Sequence, residues 1–376
     1  MPRVLVDLLS YTGTKGGMET YARELYRELG ATPSDYEYVG FASSELMTRD
    51  TSWFPGKIIN SRISGENRFT WAFGEMFSVA RAAKRIRADL IHSPALLGPI
   101  RSAMPTVITM HDVLYFSHPE LMSTGFYTKP VRWMERKAAD NATRIMTDSE
   151  SSAVDIVKYL KFDPTRLDVV PLAGTVQVGE RTARVAPAAG AGGLILATGN
   201  RRPHKNWEGL VRALALVPEK IRPRLVVTGS HGEDPLAPVV SELGLERWVD
   251  LKSWVSSEEL AELYDSASAL AMPSFCDGFS LPALDAMMAG VPVMISNIPV
   301  YREVTGDAGL YFEPTELSSI AAAIERAVTD PALMSTLVEK GYQQAAGFSW
   351  GRVATRTLEC FDASLGRIEL PGYLQR

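Results

Sequence analysis

Short apolar runs alternate along the chain with longer segments in which apolar positions recur at helical spacing. In the first half this pattern predicts strands at 4–8, 90–92, 106–109, 144–148 and 167–170, and helices at 19–29, 73–86, 129–139 and 151–160. In the second half it predicts strands at 194–198, 225–228, 249–251, 269–272 and 293–295, and helices at 207–216, 236–243, 257–266, 281–289 and 317–327. Buried strands separated by helices are typical of parallel α/β sheets.

The halves are separated by residues 176–193, which are rich in Ala, Gly and charge and show no periodicity. Such a stretch predicts a linker. It divides the chain into domains 1–175 and 194–349 and leaves 350–376 as a C-terminal helix. Because doubly wound domains bind ligands at the carboxyl ends of their strands, two of them facing each other would enclose a ligand cleft.

Composition narrows the class of protein. The chain of 376 residues is 46% hydrophobic and 22% charged, which is typical of a soluble protein with two ordinary domains. A net charge of −5 argues against a nucleic-acid partner. Two cysteines, Cys276 and Cys360, are too few for a disulfide framework and indicate a reducing compartment. With no signal peptide and no apolar run of roughly 18 residues, we expect a cytoplasmic protein.

The most informative segment is the turn Asp277-Gly278-Phe279-Ser280 followed by Leu281 and Pro282. Proline is favoured at the start of a helix, and a helix N-terminus offers free N–H groups and partial positive charge to a phosphate. Asp277 lies before this start, and Asp285 lies in the first turn of the helix. Two carboxylates flanking a diphosphate would hold sugar hydroxyls, so the segment predicts a nucleotide-sugar site.

This segment resembles the signature of retaining glycosyltransferases of family 4, in which two glutamates separated by seven residues surround a Gly-Phe-Gly-Leu-Pro core. The spacing is kept here, but Asp277 and Asp285 replace the glutamates and Ser280 replaces a glycine. Within the family, the chain resembles the mannosyltransferase-like enzymes that build bacterial surface polysaccharides. The similarity continues elsewhere, at 295–297 and 306–312, with further matches from near Gly16 to Trp350.

The resemblance implies the GT-B fold: α/β, two doubly wound Rossmann-like domains facing a central cleft, with the last helix crossing back to the first domain. It implies that Asp277 contacts the donor sugar and Asp285 holds the ribose hydroxyls. Phe279, Ser280 and Leu281 then complete the donor site between them.

Two loops carry further donor-binding candidates. Gly16 and Gly17 follow the first strand, where adjacent glycines let the backbone approach a ligand; the alternative is an ordinary strand-to-helix loop. The resembled family places this loop against the donor diphosphate or the acceptor. In the second domain, Arg201, Arg202 and Lys205 form an electropositive phosphate loop or a solvated surface loop. Lys205 stands at the family's lysine position, but Asn200 occupies the arginine position, so either arginine would substitute.

His111 follows the strand at 106–109, at a carboxyl end where ligands gather. A lone histidine is more often a structural hydrogen-bonding group, but the resemblance implies that this side chain bonds a donor-sugar hydroxyl. The resembled base-binding segment falls on Trp254 and Val255. Trp254 would cover the base by stacking or pack between the domains.

No Asp-x-Asp pair and no His/Cys cluster with metal-ligand spacing occurs, so we expect neither a metal nor another cofactor. Positive charge for the leaving diphosphate would come from Lys205, an arginine and the helix that begins near Leu281. A basic segment at 81–87 is either a solvated face or a dock for the inner membrane surface.

The resemblance implies front-face retaining transfer of a hexose, favouring mannose from GDP-mannose, to a saccharide or lipid-linked saccharide in polysaccharide or O-antigen synthesis. The alternative is a rhamnosyl- or glucosyltransferase that uses a dTDP- or UDP-sugar. The shorter carboxylate of Asp285 would suit a deoxyribose, as in dTDP-rhamnose. The aspartates and Asn200 leave a second class open, a nucleotide-sugar-binding protein without transfer activity. A nicotinamide-dependent dehydrogenase is excluded because no G-x-G-x-x-G follows the first strand.

Overall fold

The computed structural model describes residues 1–14, 16–122, 125–175 and 193–373. The chain divides into two compact units. One contains Met1–Pro119, Thr124–Leu172 and Ser349–Arg376, and the other contains Glu120–Ser123 and Ala173–Phe348. Apart from Gly193, the predicted linker at 176–193 lies outside the described residues.

In its described part, the first unit forms a seven-stranded parallel sheet of order β3-β2-β1-β4-β5-β6-β7. Its strands are β1 (Arg3–Leu8), β2 (Glu37–Ala42), β3 (Lys57–Asn60), β4 (Leu90–Ser93), β5 (Thr106–Thr109), β6 (Arg144–Thr147) and β7 (Leu167–Val169). The strand order reverses between β1 and β4, where Val4 pairs with Leu90. Loops that leave the carboxyl ends here diverge and create a ligand crevice.

Helices connect the strands of this sheet. They are α1 (Gly17–Ala31), α2 (Arg68–Phe73), α3 (Val79–Ile86), α4 (Leu114–Ser117), α5 (Gly125–Asn141) and α6 (Glu150–Asp155). Two π-helical segments, Gly74–Ser78 and Ile156–Leu160, continue α2 into α3 and extend α6. Short 3₁₀ turns lie at Leu46–Thr48, Pro119–Met122 and Pro164–Arg166.

The described part of the second unit forms a six-stranded parallel sheet of order β10-β9-β8-β11-β12-β13. Its strands are β8 (Leu194–Thr198), β9 (Arg224–Ser230), β10 (Val249–Ser253), β11 (Ala269–Met272), β12 (Val293–Ser296) and β13 (Gly309–Phe312). Its helices are α7 (Trp207–Leu216), α8 (Ala237–Glu242), α9 (Ser257–Ser266), α10 (Leu281–Met288), α11 (Pro299–Thr305), α12 (Leu317–Thr329) and α13 (Pro331–Ala345), with 3₁₀ turns at Pro203–Lys205 and Gly306–Ala308.

The C-terminal helix α14 (Trp350–Ser364) belongs to the first unit. Ser349 caps it by accepting a hydrogen bond from the Arg352 N–H, and the helix packs against α1. Near its end Asp362 accepts a hydrogen bond of 2.7 Å from the Tyr36 hydroxyl.

The predicted fold class, two doubly wound parallel α/β sheets, is confirmed. The sequence prediction was wrong in omitting β2, β3, β13, α11 and α13. It also started one helix at residue 73, whereas the helical segment begins at Arg68. β2 contains Gly40, a weak strand former. A Cβ at Gly40 would lie 3.1 Å from the Leu8 side chain, so packing of the neighbouring strand favours this glycine over local propensity.

Candidate functional site

The loop after β8 meets the end of β9 at the carboxyl edge of the second sheet. Gly199 has φ +143° and Gly229 has φ +94°, and a Cβ on Gly229 would lie 2.6 Å from the Gly199 carbonyl oxygen. Only glycine permits this backbone approach. This close backbone contact fixes the start of the basic loop that follows Gly199.

The centre of this edge is an ion pair between Lys205 and Asp277. Their Nζ and Oδ2 atoms lie 2.7 Å apart, and the side chains are only 15% and 14% exposed. The neighbouring Asn206 has φ +54° and donates hydrogen bonds from Nδ2 to the carbonyl oxygens of Pro273, at 3.1 Å, and Pro314, at 2.9 Å. These bonds hold the loop after β8 against the loop after β11, so the two predicted residues are brought together.

Asp277 has a second partner, Tyr301, that the sequence analysis missed. The Tyr301 hydroxyl donates to Asp277 Oδ2 at 2.7 Å and lies 2.8 Å from Ser274 Oγ, while the Gly278 N–H donates to Oδ1 at 3.1 Å. Burial and the nearby Asp277 charge raise the pKa of Tyr301 well above its ordinary value, so the phenol remains a donor. No local pattern marks Tyr301, because Asp277 lies 24 residues earlier.

The two candidate arginines occupy different environments. The Arg201 guanidinium donates to Asp234 Oδ2 at 2.7 Å and to the carbonyl oxygens of Thr228, at 2.7 Å, and Val227, at 3.0 Å. Its side chain is 7% exposed, whereas Arg202 is exposed. Arg201 thus connects the loop to β9, whereas Arg202 is open to solvent.

Helix α10 begins immediately after the turn that carries Asp277. Ser280 is its N-cap residue but makes no side-chain capping bond, and among the described residues its buried Oγ has no hydrogen-bond partner. The buried Phe279 ring packs edge-on against Phe348 at 6.3 Å, and Leu281 is half-buried. The helix therefore has an uncapped N-terminus with an unpaired hydroxyl beside it.

Asp285 lies on α10 and is 8% exposed. Its Oδ1 accepts a hydrogen bond of 2.5 Å from the Thr175 N–H, and the Thr175 hydroxyl lies 3.1 Å from Oδ2. A Cβ on Gly174 would lie 2.9 Å from Asp285 Oδ1 and 2.4 Å from Met288 Sδ. The carboxylate thus binds a chain segment that the sequence analysis did not connect to it, and its ribose role remains a prediction.

Trp254 stacks on His231, another residue the sequence analysis missed. Their ring centroids lie 5.4 Å apart with an interplanar angle of 14°, and Trp254 remains 47% exposed. Both residues follow neighbouring strands, β9 and β10, at the carboxyl edge, and Val255 beside them is half-buried. Sequence could have suggested His231 from its place after a strand in Gly229-Ser230-His231. The pair offers an exposed aromatic face.

In the first unit, Glu19 organises the loop between β1 and α1. Its Oε1 accepts hydrogen bonds from the Thr12 N–H at 2.6 Å and from the Gly13 N–H at 2.8 Å. Gly16 has φ +64° at the N-cap of α1, and Gly17 is the first residue of that helix. The predicted glycines therefore lie where the loop enters α1, and the shape of that loop depends on a buried carboxylate in the first turn of the helix.

Replacement of Glu19 by alanine is expected to lower the free energy of unfolding by about 2 kcal/mol, because two backbone N–H groups lose their acceptor. Thermal denaturation measures the effect. Glu28→Ala, on the same helix, is the matched control, and equal midpoints for the two variants would contradict the assignment.

His111 is held between two acceptors. Its Nδ1 lies 2.6 Å from Asp148 Oδ2, and its Nε2 lies 3.0 Å from the Pro94 carbonyl oxygen. Burial lowers the pKa of His111, but the charge and hydrogen bond of Asp148 outweigh it, so the pKa is raised. Since a doubly protonated ring satisfies both acceptors, His111 is favoured as a cation. Its role toward a sugar hydroxyl remains a prediction.

This charge gives a pH dependence that can be measured. Because the folded pKa of His111 is raised, its stabilising contribution is fully present below the unfolded value of about 6.5 and is lost as pH rises through the folded value. We expect the loss in thermal midpoint for His111→Gln to be largest below about pH 6.5 and to shrink as pH rises through the raised folded pKa. Asp148→Asn should remove the same pH dependence. A loss that stays constant with pH would contradict the charged pair.

Across 1–14, 16–122, 125–175 and 193–373, no group of three or more His, Cys, Asp or Glu side chains is arranged to hold a metal ion. The predicted independence from metals and cofactors remains a prediction. Positive charge at the carboxyl edge of the second sheet comes from Lys205, Arg202 and the N-terminus of α10.

Comparisons with known proteins bear on this arrangement. The protein-family model described as Glycosyltransferase Family 4 matches residues 15–173, and the family model described as Glycosyl transferases group 1 matches residues 181–344. O-antigen chain mannosyltransferase B of Escherichia coli is 32% identical over 75% of this chain and 76% of its own length. The chain is a family 4 glycosyltransferase.

Other proteins match this glycosyltransferase over nearly its whole length. The MMP alpha-(1->4)-mannosyltransferase of Mycolicibacterium hassiacum is 28% identical over 96% of this chain and 99% of its own. Among solved structures, sucrose-phosphate synthase from Thermosynechococcus elongatus superposes with a TM-score of 0.77 at 19% identity over 98% and 100% of the two chains. WaaG, involved in lipopolysaccharide biosynthesis, gives 0.73 at 17% over 95% and 98%. These structures agree with the predicted GT-B fold.

Proposed function

We propose that the enzyme is a retaining hexosyltransferase that moves mannose from GDP-mannose to a saccharide or lipid-linked saccharide acceptor in surface polysaccharide synthesis. The observation that carries this proposal is the partly buried Lys205–Asp277 pair, held by Tyr301 beside the uncapped end of α10. The choice of mannose is supported by two mannosyltransferases among the similar proteins, at 32% and 28% identity.

The donor diphosphate binds at Lys205, Arg202 and the N-terminus of α10. A lysine ammonium has three N–H donors, so Lys205 can keep its bond to Asp277 while it donates to a phosphate oxygen. The free N–H groups of α10 and the unpaired hydroxyl of Ser280 supply further donors. Phe279 and Leu281 shape the surface around them. These groups stabilise the charge that develops on the leaving diphosphate without a metal ion.

The remaining parts of the donor fall to neighbouring residues. Asp277 accepts hydrogen bonds from the hexose, and the base stacks on the exposed face of Trp254, next to Val255. His231 supports Trp254 from its other side. Asp285 serves the ribose hydroxyls together with Thr175, whose hydroxyl already lies 3.1 Å from Asp285 Oδ2.

Transfer proceeds on one face of the sugar. The bond between C1 and the phosphate oxygen breaks, the acceptor hydroxyl oxygen bonds to C1 on the same face, and its proton passes to the leaving phosphate oxygen. The products are a glycoside of unchanged anomeric configuration and a nucleoside diphosphate. In the first unit, we assign the reacting sugar and the acceptor to Gly16, Gly17 and His111.

Nucleotide release from GDP-mannose, dTDP-rhamnose, UDP-glucose and UDP-N-acetylglucosamine tests the donor. We expect slow hydrolysis of GDP-mannose that is lost in Asp277→Ala. Release from dTDP-rhamnose or UDP-glucose instead would replace the sugar and keep the reaction class. Thermal stabilisation by a donor without release, even with an acceptor present, would favour a binding protein. The anomeric configuration of the product, read by NMR, decides whether transfer is retaining.

A lipid-linked acceptor would bring the reaction to the cytoplasmic face of a membrane. Among the described helices, none is long and apolar enough to cross a bilayer. We assign any contact with a membrane to the basic segment at 81–87 on the surface of the first unit.

A further inference from the structure

An exposed row of side chains runs along the continuous helix from Arg68 to Ile86. Phe69, Phe73 and Phe77, which we call the aromatic ridge, are 88%, 52% and 37% exposed. They recur every four residues, and the same spacing continues through the exposed Arg81 and Arg85. The rings of Phe73 and Phe77 contact each other at a centroid distance of 5.2 Å. Three aromatic rings are thus followed in one row by two cations.

The opposite face of this helix fixes its orientation. Val79 and Ala83 are fully buried and pack with Leu5, Leu9 and Ile91 of the core. If the helix rotated to bury the aromatic ridge, Val79 and Ala83 would become exposed to water.

The π-helical segment between α2 and α3 adds polar restraints. Glu75 is 2% exposed and accepts a hydrogen bond of 2.8 Å from Trp71 Nε1. A Cβ on Gly74 would lie 2.9 Å from the Leu9 side chain. The helix backbone is therefore held close to the sheet, and the ridge points outward because of how its other face packs.

The exposed side chains around the aromatic ridge are mostly cationic. Between 62 and 89 the exposed side chains include six cations but only two anions, Glu66 and Asp89, in a chain whose net charge is −5. The cations are Arg62, Arg68, Arg81, Lys84, Arg85 and Arg87. Exposed aromatic rings bordered by arginine and lysine match an anionic lipid surface, where rings enter the headgroup boundary and cations pair with phosphates.

We propose that the aromatic ridge inserts into the surface of a bilayer containing anionic phospholipid, with Arg81 and Arg85 on the headgroups. The first unit is thereby attached to the bilayer through this surface. This inference concerns attachment and does not rest on the proposed transfer reaction, so each can fail without the other.

Co-sedimentation of the full chain with lipid vesicles tests the proposal. One set contains phosphatidylcholine alone, and a second contains phosphatidylcholine with a minority of phosphatidylglycerol. We expect binding to the anionic set only, reduced about tenfold or more by the triple variant Phe69→Ser, Phe73→Ser, Phe77→Ser. Arg81→Gln with Arg85→Gln should weaken binding and reduce its dependence on salt.

A matched control replaces three other exposed apolar residues, Val154, Leu216 and Leu317, by serine. It should bind as the wild type does. Nucleotide release and the thermal midpoint of the ridge variant should match those of the wild type, which separates attachment from folding. Equal binding by the ridge variant, or no binding by the wild type, would overturn the proposal. Concentration-dependent dimers that the ridge variant abolishes would assign this face to a second copy of the chain instead.

Discussion

Lys205→Ala is expected to lower kcat for transfer by about 100- to 1,000-fold, the loss typical of a single charged or dipolar group that stabilises a developing anion. We expect no neighbouring residue to replace the lost charge, because Lys205 is only 15% exposed and is held 2.7 Å from Asp277. The nearby Arg202 is exposed and lies on the other side of the Pro203–Lys205 turn. Steady-state kinetics with the identified donor measures the loss.

The same substitution also leaves Asp277 without its cation, which is expected to reduce the free energy of unfolding by about 3 kcal/mol. A double variant, Lys205→Met with Asp277→Asn, separates the two effects. It should recover most of the lost stability because no unpaired charge remains, yet it should stay inactive. Lys137→Ala is the matched control, since Lys137 forms an exposed pair of 3.0 Å with Asp140. Recovery of activity in the double variant would contradict a role for Lys205 at the diphosphate.

The resemblance assigned Lys205 and Asp277 to one donor site, and both lie in loops that follow buried strands, which in a parallel sheet end at one edge. Their mutual contact follows from strand order, since β8 and β11 are neighbours in the sheet. Tyr301 was not predictable in this way. It lies on α11, a helix the pattern did not reveal, and its phenol reaches Asp277 only because α11 follows the adjacent strand β12.

The partner of Asp285 shows a second limit. Thr175 lies 110 residues earlier in sequence, and no local pattern relates a loop residue to a carboxylate on a distant helix. Gly174 permits the contact because a side chain there would collide with Asp285 and Met288. Glycine in a loop is common, so its presence alone could not indicate a close approach. Short-range signals identified the motif, while contacts between distant segments determine what each carboxylate binds.

The aromatic ridge was missed for a different reason. The periodicity predicted a helix from 73, which cut off Phe69 and left a basic segment as the visible feature. Apolar residues at helical spacing normally indicate the buried face, and only the structure shows that Val79 and Ala83 take that face. Burial, rather than residue type, distinguishes a core stripe from a docking stripe.

Replacement by alanine is expected to affect stability at Arg201 and donor binding at Arg202. Arg201→Ala removes a 7% exposed guanidinium from Asp234 and from the carbonyl oxygens of Val227 and Thr228. Breaking such a buried pair lowers the free energy of unfolding by about 3–5 kcal/mol. Arg202→Ala should leave the thermal midpoint unchanged and raise KM for the donor about 5- to 10-fold, as loss of one exposed phosphate contact does.

The acid limb of the stability curve provides an independent check on Arg201. Burial raises the pKa of Asp234, but hydrogen bonds from Arg201 and from the backbone of Leu236 outweigh it and hold the pKa below its ordinary value. The stability from this carboxylate is therefore fully present above about pH 4 and is lost as pH falls through the folded pKa. The difference in thermal midpoint between the wild type and Arg201→Ala should therefore become smaller as pH falls below about 4. If Arg201→Ala instead raises KM at unchanged stability, Arg201 and not Arg202 contacts the phosphate.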